Sequence, residues 1–331
     1  MKTSMRLLIS IMVLVSLTGT TIAQTKTPTE PAPYTKAIAE GNKAYNGSKY
    51  DKARAAYVRA IQLYPQGAPA YRNLARTHFW QNNYSAAIHF YDVYLVNYPK
   101  APDRAQIQQE RKLASTRAPA QPWSPPKIQQ KALLDLEKAL ASGVGYARGS
   151  GAFHQYEALL RTEYAEPDLL KLKQRLSIKL LLEHDELLQT KPGQPTPQLN
   201  LEAWRLQAAR LEAAKTVASP DLVRTINDRL LLSQAARTLL LKDYKKASTE
   251  AAQAAKANQD MVFMHWFLIV ALYQSNDLDG ATKALNSLEG VLKKQDPTQL
   301  PYLKVTRAML LQKQGKIAEA STLYQQTLEK D

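Results

Sequence analysis

Five histidines, His78, His89, His154, His184 and His265, are the residues best suited to hold a metal or move a proton near neutral pH. They are scattered, and no His-Glu-x-x-His or similar ligand spacing links them. His184, Asp185 and Glu186 are consecutive, so on a helix their side chains fan apart; they predict a polar face. The stretch from Ser142 to Gly151 holds Gly143, Gly145, Gly149 and Gly151. A phosphate-cradling loop needs a strand before it and a helix N-terminus after it. Here the strand and any Gly-Lys-Ser/Thr are missing, which predicts a flexible hinge. No Gly-x-Ser-x-Gly nucleophile is present. The reading is therefore a non-enzyme, with no cofactor and no metal.

Binding chemistry is better represented. Arg72, Arg76 and Trp80 recur every four residues and share one face of a helix. Guanidinium groups beside aromatic rings suit an acidic extended peptide, with Arg on the carboxylates and the rings over apolar side chains. A second candidate is apolar: Met261–Tyr273 is hydrophobic almost all round, so its helix must be covered on most sides. Any side left uncovered is a partner site.

The elements that position these residues follow from a repeat. Tyr50, Ala53, Tyr57 and Pro65 return 34 residues later as Tyr84, Ala87, Tyr91 and Pro99. This period, with Ala-x3-aromatic and a closing proline, resembles the tetratricopeptide repeat. The resemblance implies stacked helix pairs with a concave binding surface. It also implies that Ile38, Asn42 and Tyr45 from the first repeat, and Arg72, Asn73, Arg76, Phe79 and Trp80 from the second, face inward. Family members that grip a peptide's terminal carboxylate use two asparagines, matched by Asn42 and Asn73, and basic residues as well. Ile38 stands for the first of those basic residues, and Asp103 and Ile107 stand near the last pair. That departure speaks against a carboxylate clamp. Packing of Phe79 and Trp80 into the seam between repeats is the alternative use of those rings.

Residues 34–114 are thus read as an N-terminal block of two repeats and a closing helix. Pro119, Pro122, Pro125 and Pro126 mark a linker at 115–126. From 127 to 219 apolar residues recur at helical spacing over Ile128–Ala141, Ala152–Tyr164, Asp168–Gln189 and Leu201–Val217, without a clear repeat register. The period returns in 220–331, where Tyr244/Ala247/Ala251 and Leu278/Ala281/Leu285 are 34 apart and Ile317/Ala320/Tyr324 follow at 39. The same register puts Leu239, Phe263, Trp266, Val270, Tyr273, Tyr302, Val305 and Met309 on an inner apolar face. No segment alternates long enough to be a strand. The fold class is all-α: a TPR-like helical-hairpin solenoid, two repeat blocks joined by a less regular helical middle region.

Lys2 and Arg6 ahead of an apolar run, Leu7–Leu17, and small residues up to Ala23 predict a secretory signal peptide over 1–23. Residues 24–33, rich in Thr and Pro, predict a mobile tether. The absence of cysteine excludes lipid attachment at the cleavage point, disulfides and thiolate chemistry. The expected location is the periplasm or the cell exterior, with no membrane span after cleavage. Removal of Lys2 and Arg6 lowers the formal charge from +15 to +13, and residues 34–114 alone hold 12 Lys/Arg against 5 Asp/Glu. A local positive field steers acidic partners. The function expected is a scaffold or adaptor for a protein or peptide partner, an acidic one by this charge. The alternative is an anionic polymer or surface such as cell-wall glycan or acidic lipid; nucleic acid is not expected, since no nucleic-acid motif is present.

Overall fold

The computed structural model describes residues 30–118, 123–142, 144–147, 150–188, 200–257, 259, 262–295 and 300–328. The signal peptide and residues 24–29 of the tether lie outside them. Among the described residues there are fifteen α-helices and no strand; a single isolated antiparallel bridge joins Ala147 and Ser150. The chain divides into two compact units, residues 1–124 with 165–167, and residues 125–164 with 168–331.

In the first unit α1 (Ala32–Asn46), α2 (Tyr50–Leu63), α3 (Ala68–Trp80), α4 (Tyr84–Asn97) and α5 (Arg104–Ser115) pack in sequence. Helices α2 and α4 stop two residues before Pro65 and Pro99, which cannot continue a helix. The second unit holds α6 (Lys127–Ala141), α7 (Gly151–Arg161), α8 (Leu169–Leu188), α9 (Leu201–Val217) and α10 (Pro220–Leu240). Its last five helices are α11 (Tyr244–Ala257), α12 (Val262–Gln274), α13 (Leu278–Gln295), α14 (Leu300–Lys313) and α15 (Ile317–Leu328).

Five of the turns between paired helices are built alike. Ser48, Asn82, Lys242, Asn276 and Gly315 each sit at φ between 57° and 82°, the left-handed region. In each turn that residue's N–H bonds the carbonyl three back, and the next N–H bonds the carbonyl five back: Asn82 to Phe79 and Asn83 to His78, Asn276 to Tyr273 and Asp277 to Leu272. These bonds satisfy carbonyls that the helix end would leave orphaned. Four residues after the second of these N–H groups comes an alanine, Ala53, Ala87, Ala247, Ala281 or Ala320, each no more than 2% exposed. A methyl is all that fits where the paired helices cross. The three looser repeats read from the C-terminal sequence therefore share the hairpin of the first two.

Large side chains fill the space that small ones open. In the first unit Tyr34, Tyr57, Tyr71 and Tyr91 are buried to 1% or less. The Tyr57 ring lies against Gly41, where a Cβ would come within 2.4 Å of it, and the Tyr34 ring lies against Gly67 in the same way. In the second unit two sequence expectations are corrected. His184 is not on a solvated face: with Leu176 and Leu180, about two turns and one turn earlier on the helix, it is fully buried, and Asp185 is bonded by both oxygens to Arg229 at 2.8 and 2.9 Å. The described part of the glycine-rich stretch is not a free hinge either. The Gly145 N–H donates to the Glu183 carboxylate, and Arg210, 8% exposed, reaches the Tyr146 carbonyl at 3.4 Å and Glu183 at 3.4 Å. Gly143 and Gly149 lie outside the described residues.

Candidate functional site

Helices α1 and α3, the first members of the two hairpins, and the closing helix α5 carry a polar row linked by side-chain contacts. The Asn42 carbonyl oxygen on α1 accepts from the Tyr57 hydroxyl at 2.8 Å and from Asn73 Nδ2 on α3 at 3.0 Å. Asn73 Oδ1 in turn accepts from Arg72 Nε at 3.2 Å. Arg72 Nη1 reaches Asp103, at the start of α5, at 2.6 Å, and the Tyr94 hydroxyl donates to the same carboxylate. One turn on, Arg76 holds both oxygens of Glu110 through Nε at 2.8 Å and Nη2 at 2.6 Å. The Tyr91 hydroxyl at 3.1 Å and Gln106 at 2.9 Å complete the Glu110 shell.

This corrects the expectation of two guanidinium groups free for an acidic partner. Both already hold carboxylates of their own chain, so the two arginines, Asp103 and Glu110 sum to zero. The titration shifts agree in direction. Burial pushes the Glu110 carboxyl up, but the hydrogen bond and charge of Arg76, aided by Tyr91 and Gln106, outweigh it and hold the group below its usual range. Asp103 behaves alike, its burial outweighed by Tyr94 and Arg72. Burial pushes the Tyr57 phenol up to about 12, so it stays a donor to Asn42 at any ordinary pH.

An aromatic edge flanks this row. Tyr45 meets Tyr50 edge-on at 5.7 Å, Tyr50 lies parallel to Trp80 at 6.5 Å, Trp80 meets Phe79 at 5.8 Å, and Phe79 meets Tyr84 at 5.3 Å. Phe79 is half-buried against the core with Arg117 over its ring at 5.2 Å, so its role is packing. Trp80 is 56% exposed. Phe79 is thus packed in the seam between the repeats, while Trp80 lies against Tyr50 across the same seam and keeps more than half of its surface exposed.

The apolar face expected in the second unit is partly covered. Trp266 and Tyr273 are half-buried on the core of α12 to α14, and Leu239 is half-buried. Trp204 from α9 meets Phe267 edge-on at 5.8 Å on the other side of α12. Val270 and Met309 remain 42% and 45% exposed. Beside them Tyr273, Val305, Met309, Gln312, Lys313 and Tyr324 line an open cavity of about 610 Å³. Lys313 Nζ stands 4.0 Å over the Tyr273 ring and donates to the Tyr273 carbonyl at 2.6 Å. The side chains of Phe263 and Tyr302 lie outside the described residues.

Sequence reasoning missed Glu110, and missed that the Tyr57 and Tyr91 hydroxyls reach the polar row. A signal was present: Asn42 and Asn73 are 31 apart, Arg72 and Asp103 again 31, and Arg76 and Glu110 are 34 apart, one full repeat. Among the described residues no cluster of three or more His, Cys, Asp or Glu could hold a metal ion. No described helix is long and apolar enough to cross a membrane.

No curated protein matches the chain. Residues 38–102 match the tetratricopeptide repeat family. Three solved structures are similar in part. The TPR2AB domain of yeast Sti1 in complex with an Hsp90 peptide has 16% identity and a TM-score of 0.26, over 85% of this chain and 97% of that one. A tetratricopeptide repeat protein from Parabacteroides merdae has 14% identity and a TM-score of 0.29, over 90% and 93%. Yeast Tom70 has 14% identity and a TM-score of 0.27, over 89% and 76%. With scores this low, the fold rests on the chain's own helix pairing. The candidate residues from Asn42 to Trp80 lie within the segment that matches this family.

Proposed function

We propose that the chain is a non-catalytic scaffold, exported to the periplasm or the cell exterior, that binds a protein or peptide partner through the inner face of its first unit. The observation carrying this reading is the polar row of Asn42, Asn73, Arg72 and Arg76 beside Tyr45 and exposed Trp80, laid across neighbouring helices. Such a surface offers hydrogen bonds and ring contacts along an extended segment. The apolar stripe of Val270 and Met309, with the cavity beside it, serves as a second contact for an apolar helix or strand. Export rests on the charged start, the apolar run Leu7–Leu17 and the cysteine-free composition. N-terminal sequencing of the protein from cell-envelope extract tests it: a mature chain beginning after Ala23 is expected, and an intact cytosolic chain would refute it. Affinity capture from the same extract should yield a partner that is lost with Asn73→Ala/Trp80→Ala. Unchanged capture by that variant would refute the groove.

The alternative, an anionic polymer or surface, draws on Lys36, Lys43, Lys49 and Lys52, all exposed on α1, α2 and the turn between them. Four arginines of the same block, Arg59, Arg72, Arg76 and Arg111, already face carboxylates. Polymer binding should weaken steeply with salt. Salt-insensitive capture dismisses it.

A further inference from the structure

We infer that Asp103 and Glu110 set the specificity of the first unit's groove: it takes an uncharged extended peptide segment bearing an aromatic or proline ring, and rejects acidic ones. This rests on the proposed peptide-binding role and adds to it the chemistry of the occupant. The charge balance is the starting point. Arg76 spends its Nε and Nη2 on both oxygens of Glu110, and Arg72 spends Nη1 on Asp103 and Nε on Asn73. Each guanidinium keeps further N–H donors, but its charge is already offset by a carboxylate, so an incoming carboxylate gains little over a neutral acceptor unless it displaces that partner.

Displacement is unfavourable because the two acids are held by more than arginine. Glu110 also accepts from Tyr91 and Gln106, and Asp103 from Tyr94. Their side chains are only 25% and 19% exposed, so neither turns freely into solvent. A third carboxylate in the row would leave one acid unpaired beside like charge, in a site with less screening than water. A basic segment gains nothing in return, since both acids are already neutralised. Uncharged polar groups avoid both penalties. The adjacent Trp80, 56% exposed and parallel to Tyr50, supplies a flat apolar surface for a ring. Acids placed to repel the wrong partner are a common source of specificity.

The test uses the full-length protein and a display library of short random peptides. The unaltered chain should recover peptides depleted in Asp and Glu and enriched in Trp, Tyr, Phe or Pro. Asp103→Asn/Glu110→Gln, which keeps size and leaves two uncompensated guanidinium groups, should recover acidic peptides about tenfold more often. Glu110→Gln alone, the milder change, should move the same way by a smaller factor and guards against a misfolded double variant. Enrichment of acidic peptides by the unaltered chain, or identical sets from all three proteins, would overturn the charge selection while leaving peptide binding intact. Recovery of no peptide above background would overturn the peptide-binding reading and this inference with it.

Discussion

Glycine to alanine at two helical positions should change stability in opposite directions. In mid-helix the substitution favours folding by about 0.8–1.0 kcal/mol, because alanine gives up less backbone freedom. At Gly290 on α13 a new Cβ meets nothing within 4 Å, so Gly290→Ala should stabilise by about that amount. At Gly41 on α1 the Cβ would lie 2.4, 2.7 and 2.9 Å from Cε1, Cδ1 and Cζ of Tyr57. That ring is 1% exposed and its hydroxyl is tied to Asn42 at 2.8 Å, so it has little room to retreat. Overpacking costs about 1–3 kcal/mol, and a strained Tyr57–Asn42 bond removes about 1 kcal/mol more. Gly41→Ala should therefore destabilise the first unit by about 1–3 kcal/mol. Because the chain has two units, a single global midpoint is not the right readout. Amide exchange against urea, followed peptide by peptide, separates α1–α4 from α12–α14. Stabilisation of both units, or no loss in the first, would refute the close approach of α1 and Tyr57.

Other consequences are as specific. Burial, with Arg54 and His89 adding to it, lowers the His78 pKa from 6.5 to about 4, while the unfolded chain titrates at the ordinary value. The unfolded state then binds more protons between these values, so stability present above pH 6.5 is lost as pH falls towards 4. His78→Phe, which keeps the stack on Phe90, should flatten that slope in the first unit; an unchanged slope contradicts it. Lys242 holds φ 63° in an exposed turn, so Lys242→Gly should stabilise the second unit by about 0.5–1 kcal/mol, read as a higher urea midpoint. A fall in the midpoint would place the turn elsewhere. Glu183→Gln weakens the tie from α8 to the Gly145 N–H, and exchange at Gly145 should quicken severalfold with the rest of α8 unchanged. Equal rates would mean that the loop is held by something else.

The repeat architecture was legible because close helix crossings demand small residues at a fixed period. Ala53 and Ala87 are buried for the same reason as Ala247 and Ala281. The helices of the irregular middle were legible too, from apolar spacing alone: Leu201–Val217 was read to the residue and Ile128–Ala141 to within one. Register says which face a side chain occupies, but not whether an acid from the next repeat reaches it. That is why Arg72 and Arg76 read as free cations when Asp103 and Glu110 neutralise them. His184 read as part of a polar patch because its neighbours in sequence are acidic. Leu176 and Leu180 recur every four residues before it on the same helix face, and that spacing would have placed it inside. The glycine-rich stretch read as loose since its restraints come from Glu183 and Arg210, dozens of residues away.

The central claim is that the inner wall of α1, α3 and α5 is what this protein presents to a partner. A photo-reactive phenylalanine analogue placed at Tyr45 in one protein, and at Val96 on α4 in another, tests it in cells with the polar row of Asn42, Asn73, Arg72 and Arg76 left intact. Val96 is 75% exposed and Tyr45 half-buried, so chance encounters favour Val96. A discrete adduct from position 45 and none from 96 is the predicted outcome. Adducts from 96 alone would place binding on the outer helices and contradict the account.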